Sequence, residues 1–200
     1  MYLYISRSGG QIVAGREDLL ARALSDYGAR AGLELRGDEA RRLGRGPYGK
    51  PFFEGLPSVR FSVAHSGSCW ACAMGGEELG LDVEDMSMRR GQDRERAACG
   101  GVSGAERYLG IARRFFAADE ALYVEGGGRD GAAARFFRVW TRKEAYVKYT
   151  GRGLGAGLGG FSVLDGGTGA HFGSIPAGAG LEMACCRARA GAAPRIVLLA

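Results

Sequence analysis

In LGLDVE, residues 79–84, alternation puts Leu79, Leu81 and Val83 on one face of a strand and Gly80, Asp82 and Glu84 on the other. Two carboxylates aimed the same way repel each other, and a divalent cation relieves that repulsion. The solvated outer face of an antiparallel strand accounts for the same segment. Further on, FFRVWTRKEAYVKYTGRGL, residues 136–154, spaces Trp140, Glu144 and Lys148 by four, so that they share one helical stripe. Taken alone, this is a core tryptophan followed by a Glu–Lys pair worth about 0.2–0.5 kcal/mol to the helix.

Two further residues stand where a side chain can reach a ligand. His65 follows a β-branched strand and precedes Ser66-Gly67-Ser68, at a strand end facing a cleft. Lys50 precedes Pro51, which restricts Gly49–Lys50 to extended geometry and could aim the ammonium group, although an exposed loop lysine has the same signature. The pair Cys69 and Cys72 resembles a redox or zinc motif. It lies in an apolar strand, where residues three apart face opposite sides, so buried structural cysteines are expected.

These residues need elements to carry them. MYLYIS reads as a first strand, and REDLLARALSDYGARAGL, residues 16–33, as a helix with Leu19, Leu20, Ala23, Leu24 and Tyr27 on one face. Residues 37–57, punctuated by Gly and Pro, read as an exposed cationic loop, and strands VRFSVAH, CWACAM and LGLDVE follow. The polar segment from 85 to 101 marks a division into residues 1–85 and 86–200. The second part should hold one helix over AERYLGIARRFFAADEALYVE, a glycine loop GGGRDG, and a helix from about Ala133 to Thr150 ended by Gly151. Strand-like FSVLD, LEMACCRA and RIVLLA complete it. Helix then strands, followed by helices then strands, predicts an α+β protein of two similar halves.

With 200 residues, 46% of them hydrophobic, the chain can bury a substantial core, and no run approaches the roughly 18 apolar residues of a membrane span. The start, MYLYISRSGG, has no secretory leader, so the cytoplasm is the expected compartment. Five cysteines, two of them adjacent, make a disulfide framework unlike this chain. A net charge of +5 favours an anionic partner. The 27 basic residues are scattered and form no nucleic-acid motif, and the 36 glycines have no fixed period.

PYGKPFF, VRFSVAHSGS, LGLDVEDM and FFRVWTRKEAYVKYTGRGL stand in the order and approximate spacing of the motifs of the 4′-phosphopantetheinyl transferases, and IARRFFAADE resembles the segment between the last two. The chain resembles the surfactin-synthetase-activating type of that family. The resemblance implies a two-halved α+β fold with its site in the cleft between the halves, in a monomer. It implies Mg²⁺-dependent transfer of phosphopantetheine from coenzyme A to a serine of an acidic acyl or peptidyl carrier protein, with release of 3′,5′-ADP and no role for nucleic acid or membrane. It implies Asp82, Glu84 and Glu144 as metal ligands, Lys148 on the diphosphate, His65 on the coenzyme A diphosphate, and Lys50 on the nucleotide phosphate. Hard carboxylate oxygens suit Mg²⁺. Glu144 is the preferred base for the serine proton and Glu84 its competitor. Lys143, beside Glu144, is a second phosphate contact after Lys148 or, preferably, a solvated neighbour, and Arg41, Arg42 and Arg45 could serve the 3′-phosphate. Where the family usually has Ser before the histidine this chain has Ala64, so one phosphate contact is missing unless Ser62 or Ser66 replaces it. A metal-dependent phosphohydrolase of nucleotides and an inactive carrier-binding adaptor are the alternatives.

Overall fold

The structure is a computed structural model of the chain, and it describes residues 1–7, 15–87, 103–153, 157–164, 166–178 and 180–199. Alternation in the first strand, β1 (Tyr2–Arg7), sends Tyr4 to one face and Leu3 and Ile5 to the other, and all three are buried. A strand buried on both faces must be covered twice. One cover is α1 (Arg16–Ala31), whose Leu19, Leu20, Ala23 and Leu24 pack with Tyr4 and Trp70. Acidic Glu17 and Asp18 favour its first turn, and Gly32, at φ 65, ends it in the left-handed conformation.

Beyond α1 the chain forms β2 (Leu43–Arg45), β3 (Pro51–Phe53), β4 (Arg60–Ser66), β5 (Cys69–Gly75) and β6 (Leu79–Asp85). Part of the expected loop over 37–57 is therefore an antiparallel hairpin, with Leu43 opposite Phe53 and Arg45 opposite Pro51. Its strands are three residues long, too short for alternation to show. Cys69 packs on one face of β5 and Cys72 on the other. The four described cysteines are all buried and unbridged.

The second part opens with α2 (Gly104–Phe115), fixed by a capping box in which Ser103 Oγ accepts from Glu106 N and Glu106 accepts from Ser103 N. The single helix expected over 105–125 is broken: Phe116 is extended at φ −95 and ψ 166, and α3 (Ala118–Glu125) starts afresh. Glu120 makes the break by accepting the Ala117 N–H at 2.9 Å. The last helix, α4, spans Gly128–Thr150, about a turn and a half longer at its start than expected. Burial of Ala132 against the α2–α3 pair overrides the weak helix propensity of the GGGRDG glycines. Gly151, at φ 66, ends α4 as expected.

FSVLD is not a strand; the Val163 N–H is given to Glu120 Oε1 at 2.8 Å instead of to a ladder. β7 (His171–Ser174), which sequence reading missed, pairs with β8 (Leu181–Arg187), and β9 (Arg195–Leu198) follows. Residues 8–14, the polar segment 88–102, residues 154–156 of the glycine-rich exit, Asp165, Ala179 and Ala200 lie outside the described residues.

Two main sheets result, ordered β4-β5-β1-β9 and β6-β8-β7. Leu79, Leu81, Val83, Met183 and Cys185 of the second pack on Leu3, Ile5, Ala71 and Ala73 of the first. α4 covers the outer face of the second sheet, with Ala145 against Ala184 and Cys186. The layers run α1, first sheet, second sheet, helices, in an α+β protein. Strand pairing crosses the expected boundary at residues 85 and 86 in both directions, because β6 pairs with β8 and β9 with β1. No described helix is long and apolar enough to cross a membrane.

Candidate active site

The site begins with a contact that only glycine permits. A Cβ on Gly80 would lie 1.9 Å from Ala145 O and 2.5 Å from Tyr149 N, so the α4 backbone rests directly on β6. Gly80, Asp82 and Glu84 share the face turned to α4, as alternation predicts, while Leu79, Leu81 and Val83 enter the core on the other. A Gly80→Ala variant must push the helix away. It is expected to melt about 5 °C lower, from about 1–3 kcal/mol of overpacking, and to draw Glu144 and Lys148 back from Asp82; thermal unfolding and activity check the two effects.

Across this contact the Lys148 ammonium donates to Asp82 Oδ1 at 2.8 Å. Lys148 thus bonds between elements, beyond the intrahelical Glu144 pairing that spacing alone suggested. Asp82 is buried, and its other oxygen, Oδ2, is buried with no hydrogen-bond partner. Burial pushes the Asp82 carboxyl up to about 7 against the pull of Lys148, with the charges of Glu144 and Glu84 adding to the rise. Burial also raises Glu144, again opposed by Lys148 and helped by Glu84. The three acids therefore lie within electrostatic reach of one another.

The folded Asp82 keeps its proton up to about pH 7, whereas an unfolded one releases it near its ordinary 3.8, so the folded state binds more protons in between. Its contribution to the stability of metal-free protein accordingly falls as pH rises from about 4 to about 7. Relative to an Asp82→Asn variant, which lacks this ionisation, wild-type melting temperature should drop between about pH 4 and about pH 7 and level off above; a constant difference would contradict it.

The donor set suits Mg²⁺ in its chemistry. The oxygens are hard, one buried acceptor lacks a partner, and Mg²⁺ is commonly held by one or two carboxylates plus substrate phosphates instead of a closed protein cage. Among the described residues no group of three or more His, Cys, Asp or Glu side chains is gathered closely enough to hold a metal ion, so Asp82, Glu84 and Glu144 are neighbours here without converging on one point.

His65 is exposed on β4. Burial of its ring lowers its pKa, and the charges of Arg16 and Lys148 lower it further, which keeps the imidazole neutral at pH 7. Arg16, the first residue of α1, was not foreseen; it enters only through the fold. Lys50 is otherwise engaged. Its ammonium donates to Glu78 Oε2 at 2.7 Å, Tyr149 O at 3.1 Å and Leu79 O at 3.2 Å, tying the hairpin loop to β6 and the end of α4. All three donors of the group expected on a nucleotide phosphate are thereby used within the protein.

Lys143 is neither a phosphate contact nor a solvated neighbour. It is fully buried, 2.6 Å from Glu120 Oε2, and donates to Leu158 O and Phe161 O at 2.6 Å each. Trp140 stacks on Phe136 and belongs to the helical core. The serines flanking Ala64 face β6: Ser62 Oγ accepts from Leu81 N at 3.0 Å, and Ser66 Oγ accepts from Asp85 N at 2.9 Å. Both hydroxyls considered as replacements for the missing phosphate contact are thus bonded to the neighbouring strand.

Two cavities flank the carboxylates. One of about 260 Å³ is lined by Tyr48, Lys50, Phe61, Ser62, Val63 and Lys148, among others. Another of about 170 Å³ brings Glu84 and Arg107 to Tyr108, Phe136, Phe137 and Trp140.

A strand carrying G-x-D-x-E against a helix carrying W-x-x-K-E-x-x-x-K is the arrangement of one family. Residues 78–179 match the family model of the 4′-phosphopantetheinyl transferase superfamily, and the chain belongs to it. The chain is 31% identical over 116 residues to a 4′-phosphopantetheinyl transferase of Bacillus subtilis, a match covering 58% of this chain and 44% of that protein. It is 31% identical over 115 residues to the 4′-phosphopantetheinyl transferase psf-1 of Bacillus pumilus, covering 58% and 42%. It is 30% identical over 107 residues to the 4′-phosphopantetheinyl transferase AcpT of Salmonella typhi, covering 53% and 47%. The chain spans less than half the length of these curated relatives.

Proposed function

We propose that this protein transfers the 4′-phosphopantetheine group of coenzyme A to a serine of an apo acyl or peptidyl carrier protein, releasing 3′,5′-ADP. The observation that carries the reading is the facing of Asp82 and Glu84 on β6 with Glu144 and Lys148 on α4, with Asp82 Oδ2 buried and unpartnered between them. Membership of the superfamily supports it.

Asp82, Glu84 and Glu144 would hold Mg²⁺. When bound, the ion would supply Lewis-acid polarisation of the attacked phosphorus and neutralise charge on the leaving phosphate. The chain's own groups do the rest. Lys148, one of whose three protons already goes to Asp82, lines the 260 Å³ cavity and is placed to hold the diphosphate of a nucleotide seated there. Neutral His65, in the field of Arg16 and Lys148, hydrogen-bonds the same diphosphate. The carrier serine oxygen forms the new bond to the pantetheine-bearing phosphorus, and the bond from that phosphorus to the ADP oxygen breaks. Glu144, whose raised affinity for protons suits a base, takes the serine proton.

The net charge of +5 favours an acidic carrier. We place the reaction in the cytoplasm, in keeping with four buried, unbridged cysteines, and in a monomer, because one chain supplies every residue named. Incubation with coenzyme A, Mg²⁺ and a panel of apo-carriers tests the reading: one phosphopantetheine is added to the carrier mass. Consumption of coenzyme A without any carrier would show a phosphohydrolase instead.

A further inference from the structure

The edge strands β4 and β6 belong to different sheets, yet they lie side by side. Two serine hydroxyls join them. Ser62 accepts from Leu81 N and Ser66 from Asp85 N, so a spacing of four on β4 meets a spacing of four on β6. The two serines do the same structural work at the two ends of this seam.

They differ in one respect. Ser66 Oγ also lies 3.1 Å from Glu84 Oε2. A hydroxyl carries a single proton. Because Ser66 Oγ receives the Asp85 N–H, its own proton can be directed to Glu84, whose carboxylate oxygen accepts it. The hydroxyl is held rigidly, since Ser66 pairs with Cys69 as the last residues before a tight turn whose Gly67 takes φ 56. One oxygen of Glu84 is thereby anchored and the carboxylate plane restrained.

We propose that Ser66 is a positioning residue, which orients Glu84 as a cation ligand through this donated hydrogen bond. The inference rests on the transferase reading above. Partners of this kind behind a ligand are commonly worth about 10–100-fold in metal affinity. Ser103 provides the stability control, because its loss removes the cap of α2 without touching Glu84 or either cavity.

The test uses full-length protein with coenzyme A present and Mn²⁺ as a paramagnetic stand-in for Mg²⁺, free Mn²⁺ being counted by electron paramagnetic resonance. Ser66→Ala should raise the Mn²⁺ Kd about tenfold or more, and Ser66→Thr, which keeps the hydroxyl, should restore it to within about threefold of wild type. Ser103→Ala should lower the melting temperature while leaving the Mn²⁺ Kd within about twofold. If Ser66→Ala does not fold, Ser66→Cys, nearly isosteric but a weak donor, takes its place with the same expected loss. Equal Mn²⁺ Kd values for the Ser66 and Ser103 variants, with wild type still binding Mn²⁺ and loading a carrier, would overturn the role of Ser66 and leave the transferase reading standing. A wild type that neither binds Mn²⁺ nor loads any carrier would overturn both.

Discussion

A Glu144→Gln variant should transfer phosphopantetheine at least about 100-fold more slowly than wild type while folding normally, since a positioned general base contributes about 10²–10⁴-fold. Glutamine keeps the length and helix propensity of glutamate. Burial already disfavours the charge at this position, so a neutral amide should leave the melting temperature unchanged or higher. What the amide lacks is an oxygen basic enough to take the serine proton, together with the negative charge facing Asp82 and Glu84. KM for coenzyme A should change far less than kcat, because Lys148 and His65 remain. The acidic limb of the wild-type pH profile, set by ionisation of a carboxyl whose pKa burial raises, should flatten in the variant. A folded Glu144→Gln protein with near-normal turnover would remove Glu144 from the mechanism, and the parallel Glu84→Gln variant would then show the larger loss.

The largest effect on stability is expected at Glu120 and Lys143. Both side chains are fully buried, so each is the other's only compensating charge at contact distance among the described ion pairs. Glu120 joins three segments by itself, accepting from Ala117 N, Val163 N and Lys143 Nζ. Lys143 in turn holds the 158–161 segment through two carbonyls and lies 4.2 Å from the Phe161 ring centroid. Removing one partner strands a charge in the interior, a cost of about 3–5 kcal/mol. Glu120→Gln and Lys143→Met should each lower the melting temperature by about 10 °C. The Glu120→Gln, Lys143→Met double variant should lose clearly less than the sum of the two single losses, because no charge is left alone. Additive losses in the cycle would show that the pair contributes no coupling.

The acidic strand was legible because one face of β6 is apolar and the other carries Gly80, Asp82 and Glu84, a period-two pattern in seven residues. The end of α4 was legible through Gly151. Lys143 was not, for a geometric reason. Buried residues on α4 include Val139, Thr141, Lys143, Ala145 and Val147, two apart, and two residues turn a helix by about 200°. Opposite sides of the helix are thus both covered, so no amphipathic stripe marks an inside. Its partner Glu120 stands on another helix, a relation that spacing does not carry. The α2–α3 break was hidden for a similar reason, since its cause is a carboxylate held by residues of three separate segments. Lys50 looked like a free loop cation because its acceptors, Leu79 O and Tyr149 O, are backbone atoms far along the chain. Arg16 entered the neighbourhood of His65 only when α1 packed on the first sheet.

The parallel pairing of Tyr2–Ile5 with Arg195–Leu198 bears on biosynthesis. During translation β1 emerges long before the strand that pairs with its outer edge, so a nascent chain carries an open backbone edge on β1 until β9 has been made. That exposed edge is a template for stray strand addition by other chains, and closing it requires a pairing between segments far apart in sequence, which makes completion of this sheet intrinsically slow.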